Sequence, residues 1–207
     1  MATAPIELTE VRRRALLEAA IAVFARFGFR KASMEDVARA AGVSRQGLYL
    51  VFSNKEELFR RALDHSLGSQ LNAALAVLSE GRSALEERLI AACDEWSGRF
   101  IGAFGADAAD LMCAGTSLAG DTMREYEARF ERALADALAA SPMGVVCGNM
   151  GVCATEVARA LNATARGLKQ TCGSREEFRK SIAVAVRMFC AASSQQSKSQ
   201  QSKKRQA

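Results

Sequence analysis

Proline, which ends helices and interrupts central strands, occurs at only two of the 207 positions, Pro5 and Pro142. Between them Ala, Leu, Glu and Arg dominate, and all four are good helix formers. No alternating run of valine or isoleucine indicates a strand. With hydrophobic residues at 49%, an ordinary value for a globular chain, the sequence predicts an all-α fold.

The first two helices are predicted from their caps. One begins after Thr9, a suitable N-cap, and ends at Gly28. The next begins after Ser33, with Asp36 at the capping-box position, and ends at Gly42. The caps therefore predict a long helix followed by a short one.

The third predicted helix follows Ser44 and has only about two turns, too few to be stable alone. A fourth helix begins after Asn54, with Glu57 three residues later, and runs to about Leu78. Two short helices joined by Gly42-Val43-Ser44 are typical of a helix-turn-helix, although an ordinary helical corner has the same spacing.

The angular distribution around the third helix favours the helix-turn-helix. At about 100° per residue, Leu48, Val51 and Phe52 share one side, which we expect to be buried. Gln46 and Leu50 point the opposite way. The residues flanking this outward side are Arg45, Gly47 and Tyr49.

Each outward residue has a chemical partner on DNA. Gln46 can form paired hydrogen bonds with an adenine edge, and Arg45 can bind guanine or a phosphate. Gly47 allows close approach of the backbone, and the Tyr49 hydroxyl can donate to a phosphate. Leu50 has no hydrogen-bonding group, so we expect it to pack on a thymine methyl.

Two further residues lie at helix starts, where free amides favour a phosphate. Lys55 is in the first turn of the fourth helix, and Ser33 precedes the second. Both are predicted phosphate contacts.

The rest of the chain is predicted to be helical apart from two turns. Residues 79–83 form the first turn and residues 141–151, with one proline and three glycines, form a loop. The predicted helices cover about 85–100, 107–115, 121–138, 152–170 and 174–192. Three regions result: 1–60, a helix-turn-helix domain; 61–195, a helical domain; and 196–207, a basic tail predicted to be disordered because it is polar and of low complexity.

Charge is divided unevenly among these regions. The net charge of +5 comprises +3 in residues 1–60, −2 in 61–195 and +4 in 196–207. The middle region is therefore not predicted to bind polyanions, whereas the basic first and last regions could bind the phosphates of a nucleic acid.

The sequence gives little support for a catalytic site or a metal site. The six cysteines form no CxxC pair, and His65 is the only histidine. No Ser-His-Asp set, HExxH or phosphate-binding glycine loop is present. We expect no enzyme activity, no cofactor and no metal, and Cys147 and Cys153 can form a regulatory disulfide only if the loop between them folds back.

The segment from Ala15 to Phe59, ALLEAAIAVFARFGFRKASMEDVARAAGVSRQGLYLVFSNKEELF, resembles the TetR/AcrR family of bacterial repressors. The resemblance covers the N-terminal quarter and implies a three-helix domain that binds a double-stranded DNA operator. The residues implied in binding are Ser33, Arg45, Gln46, Gly47, Tyr49 and Lys55. Leu50 departs from the family pattern, in which many members have a polar or aromatic residue, and so does Val51, where an aromatic or histidine is common.

Family architecture implies that the C-terminal domain forms a homodimer through its last two helices, about 152–170 and 174–192, and binds a small molecule. Apolar residues recur at helical spacing along both of these helices and form a stripe on each. Such stripes are compatible with a four-helix bundle between two copies of the chain, and also with core packing within one copy. These stripes are Ala158, Leu161, Ala165 and Leu168, and Ile182, Val186 and Phe189.

The effector is predicted to be small and apolar or amphipathic, because the candidate contacts are apolar and adaptable. The same residues would also be expected in an ordinary hydrophobic core. The alternative of a DNA-binding regulator without an effector therefore stays open. The candidate contacts are Trp96, Phe100, Phe104, Met112, Cys113, Met123, Tyr126 and Met150.

No run approaches the roughly 18 uncharged apolar residues of a membrane span. The chain is therefore expected to be soluble and cytoplasmic, with no membrane partner.

Overall fold

The computed structural model describes residues 10–102 and 108–204, with side chains left out at 108 and 192–204. All regular structure in the described residues is helical, which confirms the predicted all-α class. The helices are α1 Glu10–Lys31, α2 Met34–Ala40, α3 Arg45–Val51, α4 Lys55–Leu78, α5 Leu85–Cys93 with a π-helical turn at Asp94–Gly98, α6 Ala108–Ala139, α7 Pro142–Asn149, α8 Ala154–Thr171 and α9 Arg175–Lys204.

The chain forms two compact units. The first comprises residues 1–69 and 103–126, and the second comprises 70–102 and 127–207. Helices α4 and α6 each contribute residues to both units. The predicted division at residues 60 and 195 is a division by function and stays a prediction.

The core of the first unit joins α1 to α4 with the beginning of α6. Phe24, Phe29 and Phe59 form its aromatic centre, with ring centroids 5.1 to 5.8 Å apart. Leu111 and Ala114 of α6 are buried in the same cluster, although they are far away in sequence. The first unit is therefore more than the three helices that resemble a helix-turn-helix domain.

Two glycines shape the connections of the helix-turn-helix. Gly28 has φ 78° inside α1, so the helix is interrupted there, as predicted, and resumes for one turn to Lys31. Gly42, at φ 66°, forms the turn after α2. Both angles lie in the left-handed region, which is strained for residues with a Cβ atom.

The predicted caps form hydrogen bonds. The Ser33 Oγ accepts from the Asp36 amide at 3.1 Å, and the Asp36 carboxylate accepts from the Ser33 amide at 3.1 Å. Hydrogen bonds from Ser33 lower the pKa of Asp36. The Ser44 Oγ accepts from the Gly47 amide at 3.0 Å, which starts α3. The second and third helices are therefore capped as the sequence predicted.

In the second unit, Trp96 stacks on Phe130 at 5.1 Å. The stripes predicted on α8 and α9 are buried at every position except Leu168 and Phe189, which are half-buried. Arg175, at the start of α9, donates from Nε and Nη2 to the two Asp94 oxygens at 2.9 and 3.0 Å. Only 4% of Asp94 is exposed, so its carboxylate lies inside the unit, whereas the Arg175 side chain is 43% exposed.

Residues 142–149 were wrongly predicted as part of a loop. Pro142 occupies the first position of α7, where its missing N–H costs nothing, and the Ser141 Oγ accepts from the Met143 amide at 3.2 Å. Gly151, at φ 70°, ends the helix while the Val152 amide donates to the Cys147 carbonyl at 3.0 Å. Proline and glycine mark the two ends of a helix here.

Two other helices are longer than predicted. The segments expected at 107–115 and 121–138 are one helix, α6, with a kink at Ala119 (φ −145°, ψ 25°). Helix α9 continues to Lys204, into the segment predicted to be disordered. No glycine or proline follows Gly173 in the sequence, so no helix breaker ends α9 earlier.

Candidate nucleic-acid interface

Helix α3 has one buried and one exposed face. Leu48 and Phe52 are buried and Val51 is half-buried, so the predicted inward side packs on the core of the first unit. On the other side, Leu50 is 65% exposed and Tyr49 44% exposed. Arg45 and Gln46 are also exposed. The structure thus brings the predicted contact residues of α3 together on one solvent-facing surface, which we call the α3 face.

Arg45 and Tyr49 contact each other on the α3 face. The Arg45 guanidinium carbon lies 5.8 Å from the centroid of the Tyr49 ring, a cation–π distance. Gly47 is held differently, because its amide donates to Ser44. A Cβ atom at position 47 would lie 3.1 Å from the Ser44 Oγ and would crowd the cap.

The Lys55 ammonium contacts the end of α1. Its Nζ donates to the carbonyl oxygens of Phe29, Arg30 and Ala32 at 3.0, 3.3 and 3.1 Å. It also lies 4.7 Å from the centroid of the Phe29 ring. An ammonium has three N–H donors, so Lys55 stabilises the carbonyl end of α1. Its predicted phosphate contact stays a prediction.

Ser33 also has a local structural role, because its hydroxyl belongs to the capping box of α2. The residue is nevertheless at the N-terminus of a helix whose first amides favour negative charge. Its contact with a phosphate stays a prediction.

Sequence reasoning missed a carboxylate that contacts the end of α1. Asp110 of α6 accepts hydrogen bonds from the Arg30 backbone amide at 2.8 Å and from the Arg30 Nε at 2.7 Å. Eighty positions separate the two residues, and no local pattern in the sequence links them.

The residues predicted to contact an effector belong to both units, and their contact with an effector stays a prediction. Trp96 is buried and Phe100 half-buried in the second unit, where Met150 is 56% exposed. In the first unit, Met112 and Cys113 are exposed and Met123 and Tyr126 half-buried. The Tyr126 hydroxyl donates to Asp64 at 2.9 Å. Phe104 lies outside the described residues.

An open depression of about 600 Å³ lies in the second unit. Small and apolar residues line it, and none of them is among the predicted effector contacts. They include Gly144, Val145, Gly148, Val152 and Cys153.

None of the six cysteines, all of which lie in the described part of the chain, forms a disulfide. Cys147 is buried and Cys153 is exposed, at the N-cap of α8. Burial raises the pKa of the Cys93 thiol to about 12, so this group is neutral at pH 7. Within the described ranges, no cluster of three or more His, Cys, Asp or Glu residues could hold a metal ion. In the same ranges, no helix has the length and apolar character that crossing a membrane requires.

Comparison with known proteins identifies the N-terminal segment. Residues 16–62 match the family model described as bacterial regulatory proteins, tetR family. The chain is 45% identical over 65 residues to the HTH-type transcriptional regulator YfiR of Bacillus subtilis, and 44% identical over 48 residues to YhgD of the same organism. These alignments cover 31% and 23% of this chain, and 32% and 25% of YfiR and YhgD.

Solved structures show that the likeness in fold extends along most of the chain. A transcriptional regulator from Rhodococcus sp. Rha1 has a TM-score of 0.60 at 23% identity, covering 88% of this chain and 97% of that chain. FadR of Bacillus halodurans, described as a fatty acid degradation regulator, has a TM-score of 0.63 at 15% identity, with coverage of 86% and 97%.

These identities are low, so the solved structures establish the fold only. The N-terminal match confirms the resemblance of this segment that was stated from the sequence. Residues 16–62 are therefore similar to the helix-turn-helix segment of TetR-family bacterial transcriptional regulators, and the chain spans only about a third of the length of YfiR.

Proposed function

We propose that this protein is a dimeric transcriptional repressor that binds a palindromic operator and is released by a small-molecule effector. The observation that carries the proposal is the α3 face, where Gln46, Tyr49 and Leu50 are exposed within a segment that matches the family model. Capping by Ser44 and burial of Leu48 hold α3 in place, so the exposed side chains need little further ordering on binding.

The chemistry of the α3 face suits the major groove. Gln46 offers a donor and an acceptor to adenine, and the apolar Leu50 suits a thymine methyl. Arg45 and Tyr49 lie beside them and provide contacts to phosphates. Ser33 and Lys55 complete the proposed set. This division separates residues that specify bases from those that position the protein.

Exposed apolar residues on α8 and α9 support dimerisation. Val184 and Met188, one turn apart on α9, are 59% and 72% exposed. On α8, Ala160, Ala163 and Gly167 are small and exposed, so the helix can be approached closely. A second copy would cover these residues and give the two-fold symmetry that a palindromic operator requires. Half-sites would lie about one helical turn apart or somewhat more.

A buried amide oxygen without a hydrogen-bond donor, in the second unit, supports the proposal that an effector binds. Asn162 is only 1% exposed, and its Nδ2 donates to Glu127 and Glu131 at 3.1 and 2.9 Å. Its Oδ1 accepts no hydrogen bond from the described residues, which is costly for a buried polar atom. An effector with a donor group could satisfy it. An effector that favours the conformer unable to bind DNA would lower operator occupancy.

The alternative is a DNA-binding regulator whose occupancy depends only on its concentration. The stacking of Trp96 on Phe130 in the second unit is the observation that favours it, because these apolar side chains then pack on each other. Native mass spectrometry of protein purified from cells distinguishes the two, because an effector adds a discrete mass whose release changes operator affinity.

Selection of bound DNA from a random pool tests the function. We expect an enriched inverted repeat for the wild type. Gln46→Ala should lower affinity for this repeat by about tenfold or more, because a paired amide–adenine contact contributes about 1–3 kcal/mol. Tyr49→Ala should weaken binding to all sequences. Asn72→Ala, which removes an exposed amide on α4, is the control. No enriched repeat at low salt would contradict the proposal.

Leu50→Ala should relax the preference for thymine at one position of each half-site by several-fold, since the packed methyl contact is lost. Stability should change little because the side chain is exposed. The same selection measures this effect, with Val145→Ala on α7 as the exposed apolar control. An unchanged preference at every position would rule out the thymine contact.

A further inference from the structure

Asp110 of α6 forms a specific contact with the end of α1. One carboxylate oxygen accepts from the Arg30 backbone amide at 2.8 Å, and the other from the Arg30 Nε at 2.7 Å. The Asp110 side chain is only 12% exposed, whereas that of Arg30 is 82% exposed. The carboxylate is thus shielded from solvent and uses both oxygens on one residue.

Asp110 is ionised at neutral pH. The hydrogen bond from the Arg30 backbone amide is the largest cause that lowers the pKa of this carboxyl. Hydrogen bonds to an ionised acceptor are roughly twice as strong as neutral ones. The contact with Arg30 is therefore of the strong, charge-assisted kind.

The beginning of α6 is anchored beside this contact. Leu111 and Ala114 are buried in the core that α1 to α4 form, and Leu118 packs against that core. These spacings of three and four residues place the three side chains on one face of α6. Asp110 is thereby held in place independently of Arg30.

Lys55 holds the same end of α1 from α4. It donates to the carbonyl oxygens of Phe29, Arg30 and Ala32, while Asp110 accepts from the Arg30 amide. The donors and acceptors of this segment, 29–32, are thus bound by two different helices. We call it the α1–α2 corner.

The α1–α2 corner is connected to the α3 face through α2 and one short turn. Ser33, the N-cap of α2, is the next residue, and α2 is joined to α3 by the short turn at Gly42. A change in the corner's backbone therefore shifts Ser33 and, through α2, the exposed side chains of α3. Small misplacements of binding groups lower affinity because the correct geometry must then be restored on binding.

The geometry points to Asp110 as a positioning residue for operator binding, outside the helix-turn-helix and outside residues 16–62 that match the family model. It touches no DNA in this scheme. It acts through Arg30 by fixing the α1–α2 corner, and so the inference rests on the proposed DNA-binding function.

Asp110→Ala tests the inference in the full-length protein. We expect it to lower affinity for the selected operator by about tenfold, the loss that corresponds to roughly 1.4 kcal/mol for a charge-assisted hydrogen-bonded group. Asp110→Asn keeps one acceptor oxygen and should give an intermediate loss. Asp121→Ala is the matched control, because this carboxylate pairs with Arg124 on the same helix and is exposed.

Two readouts separate positioning from a merely structural role. Operator affinity is measured at a temperature at which circular dichroism shows every variant to be folded. Under that condition a loss of stability alone does not change the measured affinity. Amide hydrogen exchange is followed at residues 29–33, without DNA, and should become faster in Asp110→Ala but not in Asp121→Ala.

The outcomes are distinct for the two proposals. A wild type that selects no operator contradicts the proposed function, and the exchange measurement still decides the role of Asp110 at the corner. A wild type that selects an operator, together with an Asp110→Ala variant that binds it equally well, overturns this inference alone. Unchanged exchange at residues 29–33 overturns it too.

Discussion

Phe59→Ala is expected to lower the free energy of unfolding of the first unit by about 4 kcal/mol, the range for large-to-small changes in a packed aromatic core. Phe59 is 1% exposed. Its ring meets Phe24 edge-on at 5.2 Å and Phe29 at 5.1 Å, so alanine removes both contacts and leaves a cavity. Chemical denaturation followed by circular dichroism measures the change.

Phe27→Ala is the control for Phe59. Phe27 is 41% exposed, although it follows the apolar spacing of α1, and its loss should cost about 1 kcal/mol or less. Equal losses for the two variants would show that the aromatic centre of the first unit is not packed as described.

Arg175→Ala is expected to cost about 2 kcal/mol in the second unit, because it leaves a buried carboxylate without its main partner, although the Arg175 side chain is itself 43% exposed and its charge is partly screened by solvent. Asp94 is 4% exposed and receives two hydrogen bonds from Arg175. Arg179, at 3.9 Å from Asp94, compensates only in part. The same denaturation experiment reports the loss.

A double-mutant cycle gives the decisive comparison for this ion pair. Asp94→Ala together with Arg175→Ala should be less destabilising than the sum of the single changes, because no charge is then left buried alone. Arg187→Ala is the control, since its pair with Glu86 is largely exposed and should contribute about 1 kcal/mol or less. A loss for Arg175→Ala no larger than that of the control would contradict the stabilising role of Arg175 toward the buried Asp94 carboxylate.

Local signals predicted the helix-turn-helix well. The caps at Ser33 and Ser44 depend on residues within three positions, so the sequence shows both partners of each hydrogen bond. The two faces of α3 follow from helical geometry alone. For this reason the exposed residues of the candidate interface could be predicted before their surroundings were known.

Contacts between distant segments could not be predicted in this way. Nothing near Asp110 in the sequence indicates Arg30, and nothing near Lys55 indicates that its ammonium binds three carbonyl oxygens at the end of α1. Helix α7 was missed for a different reason. Pro142 and Gly151 are helix-end residues as well as loop residues, and only the hydrogen bond from Met143 to Ser141 distinguishes the two.

The apolar residues predicted to form an effector site stay a prediction. Trp96 and Met150 belong to the second unit and Met112 and Tyr126 to the first. A helical stripe shows which residues share a face of one helix, but not which helices pack together.

The burial of α6 residues in the core of the first unit means that the helix-turn-helix domain cannot be transferred to another protein as one contiguous segment. A fragment that ended at Ser69 would lack Leu111 and Ala114, and the apolar surface that they cover on α1 to α4 would be open to solvent. Exposed patches of this kind promote aggregation. A graft of this domain onto another protein would need the segment 108–118 as well as the N-terminal helices.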